Sequence, residues 1–356
     1  MTPQNRASGR LRGRPALMRL ALLAAGTAGL LAGMTGALAQ QDGGRSSAQW
    51  IEQLVSGVVR IRTHINPQGA TVQGLGRERE GSGILIDHDG LVLTIGYLMV
   101  EAYAAEVTDN YGHTIPANVV GYDHETGFGL LRAMAPSKLE PTPRPMPLGR
   151  SAQLKEHDPV LIASFGGSAM VGAAYVLARR EFAGSWEYLM EEALFTAPPH
   201  PAWSGAALIS GEGKLVGVGS LIVSDARGSG DKAPGNMFVP IDRLPPILGD
   251  LLAEGRVAGP GRPWLGINTE EVRGRLLVGR VTPAGPAEKA GIKQGDVIVG
   301  VDGGRPKGLA DFYRKIWATG VAGAIVPLDV LQDNELRRIE VQSINRLDNL
   351  KLKTTF

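Results

Sequence analysis

The apolar residues of this chain come in short runs, and glycine or proline stands in almost every gap: the 356 residues include 49 glycines and 23 prolines. Long helices do not tolerate that density of breakers, whereas short strands joined by tight turns depend on them. The runs are Val58 to Ile61, Gly83 to Ile86, Leu91 to Thr94, Ala104 to Val107, Thr114 to Val120 and Gly129 to Ala133. A second set follows: Pro159 to Ser164, Ala173 to Arg179, Leu194 to Thr196, Ala206 to Ile209, Leu215 to Val223 and Asn236 to Ile241. The proline-rich stretch Pro136 to Pro147 divides the two sets. Strands of this length in two groups predict a mainly β protein built from paired barrels.

One helix is predicted after the second set. Leu244, Ile247, Leu248, Leu251 and Leu252 lie at helical spacing between Asp242, a candidate N-cap, and Gly255, a candidate stop. The expected boundaries are 50–255 for the double barrel, 256–263 for a hinge-like linker, 264–345 for a third unit and 346–356 for a tail. An apolar share of 43% with 20% charged residues is ordinary for folded units of this size.

The N-terminus has its own logic. Arg6, Arg10, Arg12, Arg14 and Arg19 carry no acidic neighbour, an apolar run starts at Leu20, and Ala37-Leu38-Ala39 is a small-residue cleavage site. That is a secretory signal over 1–39, followed by a linker over 40–49; the same apolar run is nearly long enough to serve as an uncleaved anchor. Removing five arginines turns the formal charge of +2 into about −3, so the composition gives no case for nucleic-acid binding. With no cysteine in the chain, stability in an oxidising compartment must come from core burial and assembly. A bacterial periplasm fits both facts.

The candidate chemistry centres on Ser204, in the loop Pro201-Ala202-Trp203-Ser204-Gly205-Ala206 that runs into an apolar strand. A serine hydroxyl is a poor nucleophile unless a base takes its proton and a third group orients that base. Two upstream windows could supply them: Gly81-Ser82-Gly83 through Asp87-His88-Asp89-Gly90 to Thr94-Ile95-Gly96-Tyr97, and Tyr122-Asp123-His124-Glu125-Thr126-Gly127-Phe128.

These windows and the Ser204 segment resemble the HtrA (Deg) serine proteases, and residues Trp264 to Val341 resemble their PDZ domain through Trp264-Leu265-Gly266-Ile267, Pro283-Ala284-Gly285-Pro286 and Gly295-Asp296-Val297-Ile298. The resemblance covers about residues 50–345 and is weakest between Gly167 and Ala202. It implies two chymotrypsin-like six-stranded β-barrels with the catalytic cleft between them, followed by one α+β PDZ domain. It also places the family histidine on Tyr97 and the family aspartate on Gly127, leaving Ser204 as the one surviving triad member. The family's oxyanion turn, Gly-Asn-Ser-Gly-Gly, is replaced around Ala202 and Trp203. Loss of a triad serine or histidine costs roughly a millionfold in turnover in well-studied proteases. A catalytically degenerate protein, a pseudoprotease, is the expectation, with an active peptidase of non-standard site as the alternative.

Other residues weigh less. Six histidines remain, and His124, three residues before Gly127, and His200, four before Ser204, are expected as exposed loop residues. Asp87-His88-Asp89-Gly90 is a turn rather than a metal cluster, and no pattern for a metal or cofactor stands out. By resemblance, Trp264, Leu265, Gly266 and Ile267 form a loop that takes a peptide carboxylate on backbone N–H groups, with Phe312 and Ile316 of a helix over Gly308 to Thr319 lining the side-chain pocket. The alternative is a collapsed or covered pocket, with the domain merely packing on the barrels. The implied partners are peptide C-termini or unfolded chains, in envelope quality control. Assembly is implied as a homotrimer, to which Trp50 could contribute, or as a hetero-oligomer with an active paralogue; packing of Trp50 on its own barrel is the favoured reading.

Overall fold

The computed structural model describes residues 47–352 except 140, 141, 229 and 231. The expected signal segment, most of the linker after it and the last residues of the tail lie outside the described residues.

The first strand set closes into a barrel in the order β1-β2-β3-β6-β5-β4, formed by β1 (Val58–Ile65), β2 (Glu78–Leu85), β3 (Leu91–Ile95), β4 (Ala102–Thr108), β5 (Thr114–Tyr122) and β6 (Phe128–Ala133). The second closes as β10-β11-β12-β9-β8-β7, from β7 (Pro159–Ala163), β8 (Val171–Gly184), β9 (Tyr188–Ala197), β10 (Ala207–Ile209), β11 (Leu215–Val223) and β12 (Gly235–Pro240). Closure leaves no sheet edge unpaired, and inward side chains of both barrels join one apolar core that includes Ile61, Leu93, Phe128, Phe195 and Val218. Each of these fully buried side chains contributes about 1.5–3 kcal/mol of transfer free energy, so this core carries the fold.

The double barrel keeps its predicted strands and lengthens several of them, β8 and β9 among them. Strand β8 runs on past Arg179 to Gly184, and β9 starts at Tyr188 rather than Leu194. Their pairing ends at Gly184↔Tyr188, so Ser185-Trp186-Glu187 is the tip of a long hairpin that projects from the second barrel. Glu187 takes a left-handed φ of 56° to close it.

One local expectation changes. The helix after the barrels spans Pro245–Glu254 and stops at Gly255 in the left-handed conformation, but Asp242 does not cap it. Its carboxylate accepts instead from the N–H groups of Ser151 and Ala152 at 3.2 and 2.7 Å, fastening the inter-barrel connector. Trp50, in the helix Ser47–Leu54, packs on its own molecule: a Cβ at Gly213 would lie 3.4 Å from its ring.

The third unit is a five-stranded antiparallel sheet, β13 (Ile267–Val272), β14 (Arg275–Val281), β15 (Val297–Val301), β16 (Ile325–Gln332) and β17 (Glu335–Gln342), in sequential order. The amphipathic helix Leu309–Ala318 lays Phe312, Tyr313 and Ile316 on that sheet. Strand β13 is an edge strand, and it faces the β8–β9 hairpin. No helix among the described residues is long and apolar enough to cross a membrane.

Candidate active site and peptide groove

Ser204 is held between the barrels by backbone. Its carbonyl accepts from Ser82 N–H of β2 at 2.9 Å, and the next residue, Gly205, has φ 73°. A Cβ on Gly205 would sit 1.9 Å from the Ser82 carbonyl oxygen, so only glycine fits. Gly81 is equally pressed, its hypothetical Cβ lying 3.1 Å from Ser204 Oγ. The Gly-Ser-Gly run at 81–83 thus serves to bring the first barrel against the serine loop.

Tyr97 follows β3 in a short 3-10 turn and points at the serine. Its Oη lies 2.9 Å from Ser204 Oγ and 2.9 Å from the Ser220 carbonyl oxygen. The phenol has one proton, and burial pushes its pKa up to about 12 against the opposing pull of its hydrogen bonds to Ser204 and Trp203. At neutral pH the oxygen facing Ser204 therefore keeps its hydrogen and cannot take another. Ser204 has a hydrogen-bond partner here, but it lacks a base.

Gly127 lies beside Tyr97 in space. The β3–β6 register pairs Ile95 with Phe128, and Gly96 N–H donates to the Gly127 carbonyl at 2.6 Å. With φ 85°, this position disfavours any L side chain, although Ile95 and Tyr188 would leave room for a Cβ. The nearby Asp123 does not substitute for the missing carboxylate, because it accepts from the backbone of Glu125 and Thr126 and from Thr126 Oγ1 within its own turn.

One would-be oxyanion donor is also diverted: Ala202 N–H points to His200 Nδ1 at 3.3 Å. An N–H aimed at an internal acceptor is unavailable to a developing oxyanion. His200 is not the exposed loop residue expected from sequence. It is 8% exposed, its backbone N–H and carbonyl exchange hydrogen bonds with the Asn236 side-chain amide, and burial lowers its pKa. His124 is half-buried with an unpartnered Nδ1 and is pushed down to about 4, by burial first and then by Arg346. Among the described residues, neither hydrogen-bonds to Ser204.

Arg79 is a buried cation that sequence reasoning passed over. It donates to the Tyr97 carbonyl at 2.7 Å and to Thr71 Oγ1 at 2.7 Å, so it braces the turn that carries Tyr97 without reaching the phenol oxygen.

In the third unit, the loop Trp264-Leu265-Gly266-Ile267 does present a row of backbone N–H groups, with Gly266 at φ 80° turning them inward. A carboxylate already sits on them, and it belongs to Glu187 of the hairpin tip. Its oxygens accept from Leu265 N–H at 3.0 Å, Gly266 N–H at 2.7 Å and Ile267 N–H at 2.9 Å. Phe312 and Ile316, both fully buried, share their apolar cluster with Leu189 of β9. Nothing in the local sequence marks Glu187; the one available hint was an acidic residue in a hairpin that charged positions had disguised.

A double barrel with a serine in its cleft, followed by this sheet-and-helix unit, defines a trypsin-like protein with a second domain appended. Residues 81–218 match the trypsin-like peptidase domain and residues 263–342 the PDZ domain. The chain carries both domains, and the proteins it is similar to include DegP-like and HtrA-type proteases. It is 29% identical over 286 residues to HhoA of Synechocystis sp., covering 74% of this chain and 70% of HhoA. It is 31% identical to a DegP-like periplasmic serine endoprotease of Marinomonas sp., covering 64% of this chain and 49% of that one, so it spans from half to about 70% of these relatives' length. In fold it is similar to a substituted form of the HtrA-type protease AlgW solved with a tripeptide, with a TM-score of 0.50 at 20% identity, covering 83% of this chain and 96% of that one.

Proposed function

We propose that this chain is an exported HtrA-type pseudoprotease that binds peptides or unfolded proteins through its PDZ domain and acts in envelope quality control, as a chaperone-like module or as a regulator of an active paralogue. The observation that carries the reading is the 2.9 Å contact of Ser204 with a phenol that stays protonated to about pH 12. A serine nucleophile at neutral pH needs a base with a pKa near 7, and this phenol lies about five units on the wrong side. The diverted Ala202 N–H and the left-handed Gly127 support the same reading. The signal-like N-terminus and a relative named as periplasmic support export. Assembly as a homotrimer would bring several such modules together, and a hetero-oligomer with an active paralogue would let the module act on neighbouring protease sites.

The test is covalent labelling of the purified chain with a fluorophosphonate probe, together with casein hydrolysis. The expected outcome is no labelling and no turnover above that of Ser204→Ala. Stoichiometric labelling with hydrolysis abolished in Ser204→Ala would establish the alternative, an active serine endopeptidase with a non-standard site.

A further inference from the structure

The tip of the β8–β9 hairpin reproduces, piece by piece, what a bound peptide C-terminus offers. The Glu187 carboxylate fills the three-amide cradle at 265–267. The Ser185 carbonyl accepts from Thr269 N–H at 2.8 Å, on the free edge of β13. That is one rung of strand addition. Leu189, 8% exposed, joins the apolar cluster of Leu265, Ile267, Phe312 and Ile316 in the place of a terminal aliphatic side chain. Fully buried Tyr313 holds the tip from the helix, donating to the Gly184 carbonyl at 2.7 Å and accepting from Glu187 N–H at 3.3 Å.

We propose that the 184–189 hairpin is an internal ligand of the PDZ groove, and that a peptide with a free C-terminal carboxylate and a terminal aliphatic residue binds by displacing it, releasing the PDZ domain from the second barrel. The competition follows from geometry, because the three amides can serve one carboxylate at a time. Burial raises the Glu187 pKa in spite of its three N–H partners and Arg346, so seating this carboxylate in the cradle carries a desolvation cost. A groove closed for most of the time lowers apparent affinity by the fraction open, so a groove open one part in ten binds about tenfold more weakly than a free one. The proposal rests on the peptide-binding reading only for its external ligand.

Two variants of the full chain test it. Glu187→Gln keeps an acceptor oxygen without the charge, and Glu187→Gly removes the side chain at a position whose φ of 56° suits glycine, so the fold is retained. The probes are a fluorescein-labelled octapeptide ending in a leucine carboxylate and its C-terminal amide, with amide hydrogen exchange followed at 265–267. The expected result is about tenfold or greater tightening for Glu187→Gly, a smaller gain for Glu187→Gln and no binding of the amide. Exchange at 265–267 should rise in Glu187→Gly and fall again on adding the acid peptide. Equal affinity in wild type and both variants overturns the competition, and unchanged exchange in Glu187→Gly overturns the internal ligand itself. Faster exchange without peptide binding in any form would keep the internal ligand and remove the peptide-binding function.

Discussion

A tyrosine at position 97 does more than remove an imidazole. Its hydroxyl bridges Ser204 and the Ser220 carbonyl, so the cleft is closed by a group that supplies hydrogen bonds without acid–base chemistry at neutral pH. Restoring histidine alone should therefore fail. Tyr97→His would still face a glycine at φ 85° where an orienting carboxylate is needed and an Ala202 N–H turned toward His200. The expected outcome is no casein hydrolysis above background in Tyr97→His, and turnover in that single variant would show the remaining site to be intact. His124 makes a second prediction at this scale. Its imidazole is held at about 4 against an ordinary 6.5 by burial and then by Arg346, with Asp123 opposing and Arg262 adding to the depression. As pH falls, the unfolded chain takes up this proton first, so the stability His124 contributes is intact above pH 6.5 and is lost between 6.5 and about 4. Glu125 and Glu187, raised by burial, act with the opposite sign, costing stability above the ordinary carboxylate range and relieving the fold on acidification. Comparing wild type with His124→Gln isolates the imidazole. The difference in unfolding free energy should shift against wild type by on the order of 1–3 kcal/mol between pH 7 and 4 in urea titrations, and a flat difference would show that His124 titrates normally.

At the scale of elements, the β8–β9 hairpin joins the two halves of the molecule. Leu189 is the apolar anchor, Tyr313 grips the backbone of the tip, and Arg314 of the helix Leu309–Ala318 pairs with Glu181 and Glu191 along the hairpin's flank. Those ion pairs are exposed and add little. Truncating the buried leucine should matter more: Leu189→Ala is expected to cost about 2–3 kcal/mol, in the lower half of the range for buried aliphatic deletions. In calorimetry, the PDZ transition should separate to lower temperature while the barrels hold theirs, and a single unshifted transition would deny the hairpin its anchoring role. This same element was the least legible in the sequence. Strands such as Leu91–Ile95 and Phe128–Ala133 stand out because apolar runs end at Asp-Gly or glycine turns. Arg179-Arg180-Glu181 and Glu191-Glu192 break the apolar pattern of β8 and β9: Glu191 and Glu192 face solvent, and the half-buried Arg180 lies over the Phe195 ring. The cleft was legible through Ser204 and the Gly81-Ser82-Gly83 run, whose tight backbone contacts demand glycine. Glu187 was not, because its partners at 265–267 lie about 80 positions away, and no local spacing encodes such a contact.

Across the whole molecule, one line of hydrogen bonds connects the PDZ cradle with the serine cleft. It begins at Glu187 on the 265–267 amides. Next to it, Tyr188 donates from its buried Oη to the Thr126 carbonyl at 2.9 Å. The residue after Thr126 is Gly127, whose carbonyl takes the Gly96 N–H at 2.6 Å, and Gly96 precedes Tyr97. The ends also meet through the C-terminal segment: Arg346 donates to the Trp186 carbonyl at 3.1 Å, and Lys351 N–H donates to Glu101, whose carboxylate also holds Ala70 and Thr71. Such contiguity is a candidate route for coupling, and only a measured response makes it one. If displacement of the hairpin tip loosens Tyr188, the turn at 123–128 loses an anchor and its amides open more often. Adding saturating C-terminal leucine peptide to wild type should then speed hydrogen exchange at Gly96 and Gly127 severalfold. Tyr188→Phe, which keeps the ring stacked on Trp186 but removes the hydroxyl, should start at the faster rate and respond little to peptide. Exchange at those two amides that ignores bound peptide in wild type would mean that the PDZ domain and the cleft operate independently, with the hairpin serving as a latch alone.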